Sequence, residues 1–322
     1  MLNILSVALN SVLIIITIIV IGWGLAKTKI FSANFSNDIS NLVVDVALPL
    51  SILLSTQKYI SKQNFWLLVQ GTILIMIAII ICFLLSMSFS YFFRIPKQQR
   101  SLFVNGFVNA NTLFVGLPLN LALFGAKSLP YFLAYFVANT IATWGIGIKL
   151  INNDGPHQTV KSSTSLSWQK LLHLFTPPMW GFLVGLLFFF LQIRVTGFLN
   201  TALGYLASLV TPLSLIFLGL QLGNTKLSDL KISWLDLSSQ IGRFIISPLI
   251  MFLVIVIAEA FNWVHLQPLF VKTLIVQAAT PMLTLLPVMA EQAQLDITFA
   301  TRILTESILI FPVAVIGIML II

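Results

Sequence analysis

The sequence predicts an all-α membrane protein of ten transmembrane helices, arranged as two inverted five-helix repeats. Three observations carry this. Only 8% of the 322 residues are charged and 58% are hydrophobic, whereas a soluble domain usually carries about a quarter charged residues. So few charges cannot coat a water-facing surface. The apolar residues also fall in long unbroken runs near the length of a bilayer crossing, about 20 residues. Barrel strands would instead alternate over about ten residues. Finally, the fourth and ninth runs are interrupted in the same way, by polar residues followed by proline.

In chain order the first half holds apolar segments at 5–26, 39–56, 65–92, 101–124 and 129–150. The first has no basic residue before it and is a full span long. It therefore reads as a retained membrane helix rather than a cleaved leader. A polar stretch rich in Ser, Thr and Asn follows, so that 1–151 forms the first repeat and 152–172 a cytoplasmic linker. The second repeat, 173–322, holds segments at 174–193, 199–222, 237–261, 269–290 and 299–321. An odd number of spans per repeat makes the second copy enter the bilayer from the opposite side. Ala47-Leu48-Pro49-Leu50-Ser51 in the second span and Val210-Thr211-Pro212-Leu213-Ser214 in the seventh support the repeat.

The formal charge of +8 does not indicate nucleic acid, because the basic residues are scattered between apolar runs rather than gathered on a stripe. They do set an expected orientation. Odd-numbered loops hold Lys27, Lys29, Arg94, Lys97, Arg100, Lys149, Lys161, Lys170, Lys226 and Lys231; even-numbered loops hold Lys58, Lys62, Lys127, Arg194 and Lys272. The positive-inside rule then places odd loops in the cytoplasm and both termini outside a cell membrane. The single cysteine, Cys82, sits in an apolar run and excludes an intrachain disulfide. The dispersed histidines (His157, His173, His265) give no metal-site spacing, and neither HExxH nor GxSxG occurs. No enzyme, metal or cofactor is expected.

The fourth span carries Asn105-Gly106-Phe107-Val108-Asn109-Ala110-Asn111-Thr112, then Gly116-Leu117-Pro118. The ninth carries Gln277-Ala278-Ala279-Thr280-Pro281, then Thr284 and Pro287. Proline removes a backbone donor and clashes with the preceding turn, so both helices should break. Backbone freed there cannot face lipid and must be buried or line a cavity. The plainer alternative is two ordinary kinks. Matching interruptions in corresponding spans favour a site near the bilayer midplane, with half-helix N-termini suited to an anion.

These residues resemble the auxin efflux carrier family, which includes bacterial organic-acid permeases and plant auxin exporters. The likeness rests on residues 22–50, with Lys29-Ile30-Phe31 and Val46-Ala47-Leu48-Pro49. It also rests on Asn111-Thr112-Leu113-Phe114-Val115-Gly116-Leu117-Pro118, on Arg243-Phe244 with Pro248, and on the run from Gln277 through Glu291. The resemblance implies that spans four and nine cross at their breaks, as in bile-acid and auxin carriers. It further implies a scaffold of spans 1, 2, 6 and 7, and a transport domain of spans 3–5 and 8–10 that moves like an elevator. One departure stands out: Leu285 occupies a place where bacterial relatives often carry asparagine.

Candidate substrate-binding residues are Asn109, Asn111 and Thr112 in the fourth span, Asn139 in the fifth, and Gln277 and Thr280 in the ninth. Neutral amides and hydroxyls can hold a carboxylate without burying an unpaired charge. Their alternative task is to satisfy backbone freed by the breaks or to bond between helices. The resemblance places Asn111 beside the substrate carboxylate. Pro118 and Pro287 are the expected crossover prolines, with Pro281 an alternative to Pro287. Asp45 and Arg243 are charge-coupling candidates, though Arg243 could instead snorkel. Arg302 and Glu306 are spaced to pair at i, i+4.

Together these features predict a secondary carrier of a small organic anion, malate or a related carboxylate. No GxxxxGK[ST] signature occurs, so a gradient or exchange must supply the energy. A sodium-coupled carrier of the bile-acid type and a sensor that binds without flux are the alternatives. The expected partners are the anion and the lipid bilayer; a homodimer is compatible with the sequence, which marks no dimer face.

Overall fold

The computed structural model describes residues 2–28, 30–32, 34–156, 176–224 and 233–321. Lys29, Lys161, Lys170, Lys226, Lys231, His157, His173 and most of the linker expected at 152–172 lie outside them. Helices follow in the order α1 (Leu2–Thr28), α2 (Phe35–Tyr59), α3 (Phe65–Phe92), α4 (Lys97–Val108), α5 (Thr112–Phe124) and α6 (Ala126–Asp154). Then come α7 (Pro177–Phe190), α8 (Gly197–Gly223), α9 (Trp234–Ala260), α10 (Pro268–Ala278), α11 (Leu286–Gln292) and α12 (Ile297–Ile321). Among the described residues there is no strand, only an isolated antiparallel bridge between Ala110 and Met282. Six of the helices (α2, α3, α6, α8, α9 and α12) are long and apolar enough to cross a membrane.

The helix starts follow from local chemistry. Pro177, Pro268 and Pro287 stand in the first turns of α7, α10 and α11, where a missing N–H costs nothing. Ser233 and Asp236 form a reciprocal capping box at the start of α9. Prolines further along are handled differently. Pro49, Pro118 and Pro248 each sit two residues beyond a π turn, at Leu42–Ala47, Thr112–Gly116 and Gly242–Ile246. The wider turn relieves the ring's clash with the preceding carbonyl, so these helices run on through their prolines.

The described contacts divide the chain into two compact units. The first takes in Met1–Val69, Leu113–Leu133 and Phe175–Lys226. In it α1 lies against the second half of α8, and glycines set the spacing. A Cβ on Gly22 would enter the Ile216 backbone, one on Gly219 the Ile19 carbonyl, and one on Gly223 the Ala26 methyl. Similarly, Gly181 and Gly185 of α7 meet the Pro49 backbone and Thr56 of α2. Both glycine pairs are four apart, the small-xxx-small spacing that lets membrane helices approach closely.

The second unit takes in Gln70–Thr112, Ala134–Leu174 and Leu227–Ile322. Its core is dense and aromatic, with Phe103, Tyr135, Phe270 and Phe299 fully buried. Gly71 leaves room for the Phe270 ring and Gly242 for Phe107. On α9 the outward face is Ile245, Leu249, Phe252, Leu253, Val256 and Ile257, all exposed at helical spacing. Such an uninterrupted apolar stripe suits lipid tails rather than water. Exposed Trp66, Trp234 and Trp263 sit at or just beyond helix ends, as in the aromatic belts of membrane interfaces.

Candidate functional site

The breaks of the two interrupted helices both lie within the second unit, while the helix beyond the first break, from Leu113, belongs to the first. Between α4 and α5 the chain unwinds at 109–111, and between α10 and α11 at 279–285. The unwound strands bond to each other: Asn111 N–H donates to Pro281 O at 2.8 Å, and Leu283 N–H donates to Asn109 O at 3.1 Å. Each strand thus satisfies part of the backbone that the other's break has freed, as burial requires. Side chains hold the rest. Asn139 of α6 pairs with the whole Ala110 peptide position, accepting from its N–H at 3.0 Å and donating to its carbonyl at 3.1 Å. Ser307 of α12 accepts from Met282 N–H at 3.2 Å.

Arg243 closes the crossing from α9. Its side chain is fully buried and donates to Phe107 O at 3.3 Å, to Val108 O at 2.5 Å and to Ala278 O. Those carbonyls belong to the last turns of α4 and α10, so one guanidinium caps both half-helix C-termini. Two helix C-termini carry roughly half a negative charge each, which together offset one buried cation. Arg243 therefore neither snorkels nor adds excess positive charge; it clamps the two broken helices together.

The candidate substrate residues all fall in this unit, in different roles. Asn111 donates from Nδ2 to Thr284 Oγ1 across the crossing. Asn109 donates to Asn105 Oδ1 at 2.7 Å, while its own Oδ1 is buried without a partner. Asn105 in turn donates to Ser101 O and Gly147 O, and a Cβ on Gly147 would displace both amides. Thr112 and Gln277 are buried at the two breaks. Thr280 turns its hydroxyl onto Gln277 O at 2.9 Å. The hydroxyl of Thr284, accepting from Asn111, still has its own proton to give.

The three candidate crossover prolines take different places. The fourth helix breaks at 109–111, and Pro118 lies inside α5, accommodated by the π turn before it. Pro281 is the proline in the crossing itself, where its carbonyl accepts from Asn111. Pro287 opens the helix beyond. Asp45 is exposed on the π turn of α2 and belongs to the first unit. Arg302 pairs not with Glu306 but with Asp236 of α9, bidentately at 2.9 and 3.0 Å.

Sequence reasoning passed over Asn105, Gly147 and Ser307, and Thr284 carried no assigned role. Thr284 was the most accessible of these, as a polar residue beside Leu285. Leu285 itself is exposed, and the polar side chain that meets Asn111 across the crossing is its neighbour Thr284.

Long apolar helices with lipid-suited faces, and two interrupted helices bonded at a buried polar crossing, define a multi-pass membrane protein. Residues 7–319 match the family described as membrane transport protein, and the chain belongs to that family. It is 25% identical over 294 residues to an uncharacterized transporter of Methanothermobacter thermautotrophicus, covering 89% of each chain. A second uncharacterized transporter, from Methanocaldococcus jannaschii, is 23% identical over 294 residues, covering 90% of this chain and 91% of its own.

Proposed function

We propose that this chain is a secondary carrier of a small organic anion, malate or a related carboxylate, that works by alternating access. The observation that carries the reading is the buried crossing. Two unwound segments bring Asn111 and Thr284 into contact, with Asn109 and Thr112 buried on either side of Asn111, and irregular backbone at membrane depth is tolerated where it lines a site. Carboxylate oxygens need donors rather than further acceptors. The Thr284 hydroxyl proton is one such donor. Membership in a membrane transport family supports movement rather than chemistry.

In this reading the apolar segments form ten spans in two inverted repeats, with the shorter helices α1, α5, α7 and α10 completing the six long ones. A body of spans 3–5 and 8–10 moves like an elevator against a scaffold of α1, α2, α7 and α8; those four helices fall in the first unit, which also takes in Leu113–Leu133 of α5 and α6. The organic-acid permeases of the auxin efflux carrier family are the working analogy, and the cell membrane is the working location. The test is exchange of labelled malate in proteoliposomes. Wild-type protein is expected to exchange malate, and Asn111→Ala to slow exchange about tenfold, the effect of losing roughly 1.4 kcal/mol of substrate interaction. If neither malate nor other small carboxylates exchange or accumulate, the reading fails.

A further inference from the structure

A second buried polar cluster lies in the same unit, where α9 packs against α12. Asp236 is fully satisfied: it accepts from Ser233 N–H at 2.8 Å and takes both arms of Arg302. Its charge is thereby matched. Glu306, one turn along α12, has no such match. It is 5% exposed, and the donor that reaches it is Gln240 Nε2 at 3.4 Å, which also serves Ile303 O at 2.9 Å. Glu306 Oε1 and Gln240 Oε1 are both buried without a partner. The charged groups that bear on Glu306 are Asp236 across from it and Arg302 on its own helix. The other charges on the helices packed against α12 are Arg243 and Glu259 on α9, Lys97 and Arg100 on α4, Lys272 on α10 and Glu291 on α11. Arg243 is committed to the crossing carbonyls.

The cluster thus sets two carboxyl groups against one guanidinium that Asp236 already engages. A carboxylate buried without a cation beside it is costly. The missing element is a donor or a positive charge. A metal-sized cation would need a cage of several oxygen ligands, and among the described residues no group of three or more acidic, His or Cys side chains could hold one. A proton needs only the carboxyl itself.

We propose that Glu306 is a proton-binding site that couples proton movement to the crossing. The coupling has a short physical route. Ser307, the next residue, holds the Met282 amide in the crossing at 3.2 Å, and Gln240 stands three residues before Arg243 on α9. Gaining or losing charge at Glu306 therefore acts beside two of the groups that fix the broken helices. By linkage, occupancy at the crossing shifts proton occupancy in return. The coupling half of the proposal rests on the carrier reading above; proton binding does not.

Two measurements test it separately. Infrared difference spectra of the reconstituted protein between acid and alkaline pH should show a protonated-carboxyl band. That band should vanish in Glu306→Gln and shift in frequency in Glu306→Asp, which keeps the carboxyl if the glutamine variant fails to fold. No such band in wild type, or an unaltered band in either variant, overturns proton binding. In proteoliposomes a proton gradient should accelerate malate accumulation, and Glu306→Gln should abolish that acceleration. Retained acceleration in Glu306→Gln overturns the coupling, and so does acceleration by sodium at fixed pH that the same variant abolishes. If wild-type protein moves no malate at all, the carrier reading falls and the infrared measurement still decides Glu306.

Discussion

At the scale of single residues, Arg243 shows how burial changes the meaning of a charge. An arginine well inside an apolar run invites a role in binding an anion, yet here it is spent on three carbonyls at the ends of two half-helices. A planar, forked guanidinium presents two nitrogens to the two ends at once, whereas a lysine ammonium holds all its donors on one nitrogen. Arg243→Lys should therefore lower the melting temperature in detergent. The expected cost is about 1–3 kcal/mol for each carbonyl left without a donor. An unchanged melting temperature would rule out the clamp. Asn139 follows the same logic, since its amide is committed to the Ala110 peptide group.

Among the elements, the decisive features are how helices break and how closely they approach. The two breaks were legible in sequence because polar residues and prolines interrupt otherwise apolar runs. Their exact position was not. Pro118 was expected at the crossover, yet it rides on a π turn inside α5, as Pro49 and Pro248 do in their helices. Pro312 also runs on inside α12, with no wider turn before it, so a proline by itself does not place a break. Close approach is governed by glycine. Gly219→Leu should drive side-chain atoms into the Ile19 carbonyl and cost about 1–3 kcal/mol from overpacking. Gly24→Ala, where nothing lies within 4 Å, is the matched control. Size-exclusion profiles and melting curves of the two variants should differ sharply; similar behaviour would remove α1–α8 packing as a glycine-dependent contact.

For the whole molecule, the charge of the loops sets the expected orientation in the bilayer. The excess of basic residues in odd-numbered loops predicts that both termini are outside. The only cysteine, Cys82, is buried. A Cys82→Ser background with single cysteines at each end should be labelled by an impermeant thiol reagent added to intact cells. Labelling of the termini only after the membrane is opened would reverse the orientation and, with it, the side from which the crossing is first reached.

The amino-acid sequence by itself determined that this is a helical membrane protein with two interrupted helices. Hydropathy, scarcity of charge, and the polar and proline interruptions are properties of neighbouring residues, and the bilayer converts them directly into spans. The tertiary structure alone decided what the interruptions do. Arg243 meets Val108 and Ala278, and Asn111 meets Thr284, across 135, 35 and 173 positions of chain. It likewise turned Arg302 from Glu306 to Asp236, leaving Glu306 uncompensated. In a low-dielectric interior a buried polar group is costly without a partner, and which partner it finds, or whether it finds one, depends on the packing of distant segments.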